Sequence, residues 1–445
     1  MILAAGEATP RATTPAHTRA VLAMALGGLL FGFDTAVISG VTEALRTDFA
    51  LGPAGVGLAV SAALWGTLAG AIFSGAPGDR FGALRVLRTI GLLYLVSAAG
   101  CALADGLATF AAFRFVGGIA IGASSVLVPV YIAEISPPER RGRLVGLFQF
   151  NIVLGILVAY ASNYAIGRIA LGDLAWRWKL ASAAVPAALF LLLLAGVPQS
   201  PKWLRATGRD DEAEAAAACL GIRVAEVDEV VRPAGRLDWR AHRKPILLAV
   251  AMGLFNQLSG INAILYYLND IFAASHLVRL SADTQAIIIG VANLIATMAA
   301  MTIIDRVGRK PLLIAGGLIT AVALAGVALV YTGIASDRLL LPLLILFIVA
   351  FAMSQGAVIW VYLSEIFPTD VRARGQAVGS ATHWIANALL SFGFPVLAQV
   401  DRALPFWIFA VAAAVQAIVV ARFFPETKRR SLEAIAREMA QHAKP

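Results

Sequence analysis

Twelve apolar stretches, each about 20 residues long, constrain the fold of this chain more than any other feature. Only 14% of the 445 residues are charged, whereas a soluble chain carries about 25% charged residues. The mean hydropathy is +0.80. These properties predict an all-α membrane protein with twelve transmembrane helices. The predicted spans are 20–41, 55–76, 87–105, 109–133, 144–166, 179–197, 245–274, 284–304, 311–332, 340–365, 374–398 and 404–424.

A repeated pattern divides these spans into two halves of six. The stretch YIAEISP at 131–137 returns as YLSEIFP at 362–368, and DRFG at 79–82 returns as DRVG at 305–308. Parallel repeats of this kind are found in transporters that rock about a central site. The predicted parts are a tail at 1–19, a six-helix bundle at 20–197, linker helices at 198–243, a second six-helix bundle at 244–424 and a tail at 425–445.

Basic residues predict how the chain is oriented in the membrane. Most of the 36 Lys and Arg residues lie in the two tails, in the linker and in the loops on the same side as these segments. Cytoplasmic loops carry such an excess of positive charge. We therefore expect both termini in the cytoplasm and the spans in the inner membrane of the cell. The tail at 1–19 lacks the compact apolar core of a cleavable signal.

Two charged residues lie inside predicted spans. Asp34 interrupts the first span, and Arg114 lies near the same depth in the fourth span. An acid inside the bilayer costs roughly 2.5–3.5 kcal/mol on insertion scales, so such residues usually pair or serve a function. We expect Asp34 and Arg114 to form a pair that couples transport to a proton. Two alternatives are that Asp34 caps a helix end and that the pair is only structural.

The seventh span contains an unusual number of polar residues, among them Asn256, Gln257 and Asn262. A bend at Gly260 would turn Gln257 and Asn262 inward, where amides suit an uncharged ligand with many hydroxyl groups. Aromatic faces match the C–H face of a sugar. The alternative is that these amides only join helices. The other candidate substrate-binding residues are Gln149, Tyr267, Asn293, Trp360, His383, Trp384 and Asn387, with Tyr266 in the same polar stretch.

Charged residues follow equivalent spans of both halves on the predicted cytoplasmic side. Glu134 and Glu365 recur at helix ends, each with an arginine seven positions later, at Arg141 and Arg372. Positive-inside flanking explains the arginines but not the two acids. We therefore expect a cytoplasmic gate that latches the halves together. Its remaining candidates are Asp79, Arg80, Asp305 and Arg309.

These motifs together resemble the sugar porter family of the major facilitator superfamily, in particular its bacterial sugar/proton symporters. The matching stretches include GGLLFGFDTAVISG at 27–40, FRFVGGI at 113–119, QLSGINAILYY at 257–267 and PETKRRSLEAI at 425–435. The resemblance implies twelve helices that work by alternating access, with Asp34 as the proton-coupled acid and Arg114 as its partner. It also implies sugar contacts from Gln149, Gln257, Asn262, Asn293 and Trp360.

The sequence departs from the family pattern at positions that bear on the substrate. Asn256 replaces one glutamine of a pair, and His383 stands where Gln or Asn is usual. The stretch GAVIW at 356–360 lacks the proline that usually precedes this tryptophan, which makes flexing of the tenth span less assured. His383 also permits a weaker hypothesis of pH sensing, because histidine titrates near neutral pH.

The sequence therefore predicts a monomeric sugar:H⁺ symporter in the lipid bilayer that imports a monosaccharide. A facilitative sugar uniporter and a transporter of a related polyol are the alternatives, and a transporter-like nutrient sensor would need a longer signalling tail. An enzyme and a cofactor are not expected, because histidines are few, metal-ligand clusters are absent and no nucleotide-binding loop opens a helix. A nucleic-acid partner is not expected either, because the basic residues cluster between spans, as membrane orientation predicts. Two cysteines, Cys101 and Cys219, offer neither a disulfide framework nor metal-ligand spacing.

Overall fold

The structure is a computed structural model that describes residues 14–136, 138–169, 171–222, 237–274, 280–368 and 371–428. Within these ranges all regular structure is helical, and twelve segments are long and apolar enough to cross a membrane. They run Pro15–Gly40, Pro53–Phe73, Ala83–Leu103, Leu107–Ile135, Gly146–Gly167, Gly172–Leu194, Arg243–Tyr266, Ala282–Val307, Arg309–Tyr331, Asp337–Glu365, Arg374–Val400 and Leu404–Phe423. The prediction of twelve spans is confirmed.

Short helices connect or continue these spans. Pro201–Ala206 and Asp210–Leu220 lie in the linker between the halves. Three acids occupy the first turn of the second linker helix, where negative charge complements the helix dipole. The other short helices are Thr42–Asp48, Gly75–Phe81 and Leu268–Ala273. We call the end of the bundle that holds the linker the terminal face, and the end that holds Thr42–Asp48 the opposite face.

Two spans contain breaks that the sequence explains to different degrees. The seventh span consists of the helices Arg243–Leu258 and Ile261–Tyr266, which meet at Gly260 with a φ of 78°. This left-handed conformation suits glycine, because glycine has no Cβ. The tenth span passes through a π-helical segment, Ala352–Gly356, before the helix Ala357–Glu365. This irregularity occurs without the proline that its motif usually contains.

Glycines let neighbouring helices approach with their backbones almost in contact. A Cβ added to Gly32 of the first span would collide with the carbonyl oxygen of Ile152 in the fifth span. A Cβ on Gly118 of the fourth span would likewise meet the carbonyl oxygen of Ala63 in the second span. Small residues at helix interfaces permit this close packing in membranes. These contacts bring the first, second, fourth and fifth spans together within the first half.

The two halves meet along two pairs of helices. In one pair, Gly57 of the second span lies against the backbone of Phe392 in the eleventh span. In the other, Gly290 of the eighth span lies against Leu157 and Tyr160 of the fifth span. The region between these pairs contains the polar side chains that the sequence singled out.

Candidate transport site

Asp34 and Arg114 form a buried ion pair between the first and fourth spans. Arg114 Nη1 donates a hydrogen bond of 2.7 Å to Asp34 Oδ1. The two side chains are only 13% and 4% exposed, respectively. Asp34 Oδ2 and Arg114 Nε are buried and have no hydrogen-bond partner among the residues that the structure describes. Asp34 Oδ2 is therefore free to bind a proton or to accept a hydrogen bond from a water molecule.

Cavities lie on both sides of this ion pair. One is enclosed in the first half, where Tyr94, Ser97 and Cys101 share its lining with Asp34 and Arg114. The other lies between the halves, where the pair shares a lining with Phe31, Tyr266 and Trp384. Tyr266 and Trp384 belong to the second half. The ion pair therefore borders the region where the two halves meet, and a change in its charge can act on both.

The amides of the seventh span form a connected group at the Gly260 break. Asn262 Nδ2 donates to Gln257 Oε1 at 3.1 Å, and Gln257 Nε2 donates to Asn256 Oδ1 at 3.2 Å. Gln257 Nε2 also lies 3.1 Å from the nearer ring nitrogen of His383. The break at Gly260 brings Gln257 and Asn262 within hydrogen-bonding distance of each other, and the prediction that both bind a ligand stays a prediction. The group offers both donors and acceptors to a ligand.

Aromatic rings border these amides. The ring centroids of His383 lie 5.3 Å from Trp360 and 5.0 Å from Trp384. Trp384 in turn makes an edge contact with Phe31 of the first span, at 6.0 Å between centroids. Trp360 remains 42% exposed. Amide groups beside aromatic faces match the alternating polar edge and apolar face of a sugar ring.

The remaining candidate residues differ in whether their polar side-chain groups already form hydrogen bonds within the protein. Within the described part of the chain, the side chains of Gln149 and Asn293 make no hydrogen bond, and the two residues lie on the fifth and eighth spans, which pack together. Asn387 donates to the Tyr266 hydroxyl at 3.4 Å. Tyr267 donates to the Ser391 carbonyl at 2.9 Å, and its ring stacks on Phe394.

Tyr267 is therefore engaged in packing within the second half and is left out of the site that we propose. The neighbouring Tyr266 faces the cavity between the halves instead. The period of the helix could have separated the two tyrosines, because adjacent residues on a helix point in different directions.

Hydrogen bonds also join the halves at the opposite face, at positions that the sequence motifs did not indicate. Thr42 Oγ1 donates to Asp270 Oδ1 at 2.9 Å. Tyr160 donates its hydroxyl hydrogen to the Leu265 carbonyl at 3.1 Å. Ser39 lies 3.4 Å from the side-chain oxygen of Asn269. These contacts close the opposite face between the end of the first span, the fifth span and the segment that follows Gly260.

The charged residues of the terminal face in the second half form one cluster. Arg309 pairs with Glu365 at 2.9 Å and with Asp305 at 3.0 Å. Thr427 donates its hydroxyl hydrogen to the second oxygen of Glu365 at 2.6 Å. Backbone N–H groups of Arg309 and Lys310 donate to Glu426. The cluster therefore ties the eighth, ninth and tenth spans to the segment after the twelfth.

The equivalent residues of the first half are arranged differently. Asp79 is exposed and its carbonyl accepts a hydrogen bond from the Trp203 indole at 2.7 Å. The Arg80 guanidinium lies over the Phe81 ring. Glu134 is half-buried at the end of the fourth span. The side chain of Arg141 lies outside the described residues, and Arg372 begins the eleventh helix. The pairs described above join helices of the same half, so the predicted latch between halves stays a prediction.

Comparisons with known proteins agree with these observations. Residues 20–439 match the family model described as "Sugar (and other) transporter". The chain is 35% identical to the D-xylose-proton symporter of Escherichia coli K12, with 93% of each chain covered. It is 36% identical to the arabinose-proton symporter of Bacillus subtilis, again with 93% of each covered.

A solved structure matches over nearly the whole chain. It is the inward open conformation of the xylose transporter XylE from E. coli, with a TM-score of 0.81 and 33% identity. The match covers 94% of this chain and 98% of that one. The expected resemblance is thereby confirmed, and this multi-pass membrane protein belongs to the sugar transporter family of the major facilitator superfamily.

Proposed function

We propose that this protein imports a monosaccharide together with a proton by alternating access. The observation that carries the proposal is the buried Asp34–Arg114 pair, which borders the cavity between the halves. Removal of one partner from a charge pair that is this well buried strongly destabilises a protein. Neutralising Asp34 by a proton would have a similar local effect, so protonation and the relative position of the halves become coupled.

The free oxygen of Asp34 gives the proton a place to bind. Asp34 Oδ2 is buried and has no hydrogen-bond partner in the described part of the chain, whereas Oδ1 accepts the hydrogen bond from Arg114. A proton on Oδ2 would remove the negative charge that holds Arg114, and the guanidinium would then seek other acceptors. Loss of the proton on the other side of the membrane would restore the pair and complete the cycle.

The sugar would bind beside this pair, among the amides and rings of the second half. Gln257 and Asn262 would hydrogen-bond its hydroxyl groups, with Asn256 and His383 fixing the orientation of Gln257. The remaining members of the proposed site are Gln149, Asn293, Trp360, Trp384 and Asn387. The named relatives transport xylose and arabinose, which supports a monosaccharide as the substrate.

We further propose that the terminal face is cytoplasmic and that its charged cluster acts as a gate. Positive charge at this face supports the orientation. The hydrogen bonds at the opposite face then close the outer side in this structure. When the outer side opens, Glu365 and Arg309 and their counterparts around Glu134 would hold the cytoplasmic side closed.

The test is sugar uptake into proteoliposomes with and without a proton gradient. The wild type should accumulate labelled sugar against its gradient and should lose this ability with an uncoupler. Asp34→Asn should abolish uphill accumulation and spare sugar exchange, whereas Asp173→Asn, which alters an exposed acid, should behave as wild type. Normal accumulation by Asp34→Asn would refute proton coupling through Asp34, and insensitivity of the wild type to the uncoupler would establish the uniporter.

The orientation can be tested with the native cysteines alone. Cys219 is exposed on the linker helix and Cys101 is buried. A thiol reagent that cannot cross membranes should label Cys219 in inverted vesicles and leave it unlabelled in right-side-out vesicles. The reverse pattern would overturn the proposed orientation.

A further inference from the structure

Asp270 is a carboxylate that joins the two halves and does not contact the Asp34–Arg114 pair. It belongs to the short helix Leu268–Ala273, which follows the seventh span at the opposite face. Its Oδ1 accepts a hydrogen bond of 2.9 Å from Thr42, which begins the helix after the first span. Formation of this contact requires the two halves to be together at that face.

The residues around Asp270 compensate its negative charge only in part. Arg46 lies on the same side of Thr42–Asp48 but also pairs with Glu43 at 2.5 Å, so its charge is shared. Asp283 is bonded to Asn269, the neighbour of Asp270. Among the described residues, the titratable or charged groups on the elements packed around this segment include Glu43, Arg46, Asp48, Lys179, Tyr266, Tyr267, Asp283, Tyr331 and Arg402.

Burial of this carboxyl favours its protonated form. Removal from water raises the pKa of Asp270 to about 6, although the Thr42 hydroxyl and the Arg46 charge act to lower it. The nearby Glu43 raises it further. If the halves separate at this face, Asp270 becomes exposed to water and its pKa returns toward the ordinary value of 3.8.

We propose that Asp270 is a second proton-binding site, and that a proton bound there stabilises closure of the opposite face. The proposal rests on the alternating-access function proposed above, because it assumes that this face opens. Thr42 can donate to Asp270 in either protonation state, since a carboxylic acid keeps an acceptor oxygen. Protonation therefore preserves the contact and removes the cost of burying a charge.

The direction and size of the effect follow from linkage. Because the pKa is higher in the closed form, closure is favoured most at low pH and loses this advantage as the pH rises through about 6. The ratio of closed to open molecules should increase about tenfold between about pH 7.5 and about pH 5. Protonation at an acidic outer surface would thus promote closure behind a bound sugar.

Asp270 would gain and lose its proton at the same face of the membrane. A proton that binds when the face closes and leaves when the face reopens is not carried across. The site therefore changes the equilibrium between conformations without adding to the number of protons moved per sugar. This property distinguishes it from Asp34, whose proton must leave on the other side.

The experiment measures opening of the opposite face directly. Nitroxide labels at Ala54 and Val400 lie on the second and eleventh spans at this face, one on each half. Electron-spin distance distributions would be recorded between about pH 5 and about pH 7.5 in protein with Asp34→Asn, which removes the proposed proton-coupling carboxyl, and Cys219→Ser, which removes the exposed thiol. The population at the short distance should grow about tenfold relative to the long one as the pH falls.

Variants of Asp270 and its partner decide the assignment. Asp270→Asn should make the distance distribution insensitive to pH. Asp105→Asn is the matched control, because Asp105 also accepts a hydrogen bond of 2.9 Å from a threonine, Thr109, but within one half. It should retain the full pH response.

Thr42→Val provides a second measurement that does not depend on how Asp270→Asn folds. Loss of the hydroxyl donor should raise the pH midpoint, since this hydrogen bond lowers the pKa of Asp270. An unchanged midpoint in Thr42→Val, or a wild-type pH response in Asp270→Asn, would overturn the proposal. Neither measurement uses sugar or a proton gradient, so its outcome is separate from success or failure of the proton-coupled transport proposed above. In addition, the number of protons moved per sugar should be the same in Asp270→Asn and wild type.

Discussion

Replacement of Gly32 by alanine tests how closely the first and fifth spans approach. A Cβ at this position would overlap the carbonyl oxygen of Ile152 and lie 2.7 Å from its carbonyl carbon. It would also lie 3.0 Å from the backbone nitrogen of Ile156. Carbon atoms in contact prefer a separation of about 3.5–4.0 Å. The helices would therefore have to move apart by about 1 Å, since backbone atoms cannot rotate away as a side chain can.

The expected net effect combines two opposing terms. Overpacking of a well-packed interface costs about 1–3 kcal/mol, and a rigid backbone neighbour places Gly32→Ala toward the upper end. Alanine gains about 1 kcal/mol over glycine in a helix interior. We expect Gly32→Ala to lower the free energy of unfolding by about 1–2 kcal/mol. Because Asp34 lies two residues away on the same helix, uptake should also slow.

Equilibrium unfolding in mixed micelles with increasing SDS, followed by circular dichroism, would measure this change. Gly393→Ala is the matched control, because Gly393 also lies inside a span, but among the described residues no atom outside its own helix backbone lies within 4 Å of the added Cβ. That variant should be as stable as wild type or up to about 1 kcal/mol more stable. Equal stability of Gly32→Ala and Gly393→Ala would refute the backbone contact between the first and fifth spans.

Further predictions concern the site and the terminal face. Gln257→Ala should raise the sugar KM about tenfold, as expected for one lost hydrogen bond and an unpaired partner; an unchanged KM in radiolabelled uptake would remove Gln257 from the site. His383→Gln should alter the KM and leave the pH profile of uptake unchanged, because a buried imidazole between two rings favours its neutral form; a shifted profile would support pH sensing by His383. Burial raises the pKa of Glu426, but four backbone N–H donors outweigh it and hold the pKa below the ordinary 4.5. Its contribution to stability is present above that value and is lost as the pH falls below it. The free energy of unfolding, measured at neutral pH and in acid, should therefore fall more between these conditions in wild type than in Glu426→Gln, and an equal fall in both would refute the contribution of Glu426.

Two kinds of feature could be predicted from the sequence: bends within a single helix, and pairs of charged residues that lie at a similar depth in the membrane. Asp34 and Arg114 could be paired because each is a rare charge at a similar level of an apolar span. The bend at Gly260 followed from glycine itself, and it placed Gln257 beside Asn262. In each case, local composition limited the possible arrangements to very few.

Contacts between distant helices could not be predicted in the same way. Gln355 donates to Gln416 at 2.6 Å between the tenth and twelfth spans, next to the π-helical segment. Thr42 and Asp270 are separated by most of the first half and the linker. An amphipathic pattern shows which face of a helix is buried, but it does not show which residue on another helix lies opposite. These pairs therefore required the three-dimensional structure.

The hydrogen bond from Tyr160 to the main-chain oxygen of Leu265 bears on how closure could evolve. Any amino acid at position 265 still presents that oxygen, so this contact tolerates mutation there as long as the tyrosine is kept. The contact between Thr42 and Asp270 depends instead on two side chains. Substitutions at positions 42 and 270 should therefore change the proposed pH response, while Tyr160 still joins the two halves at the opposite face.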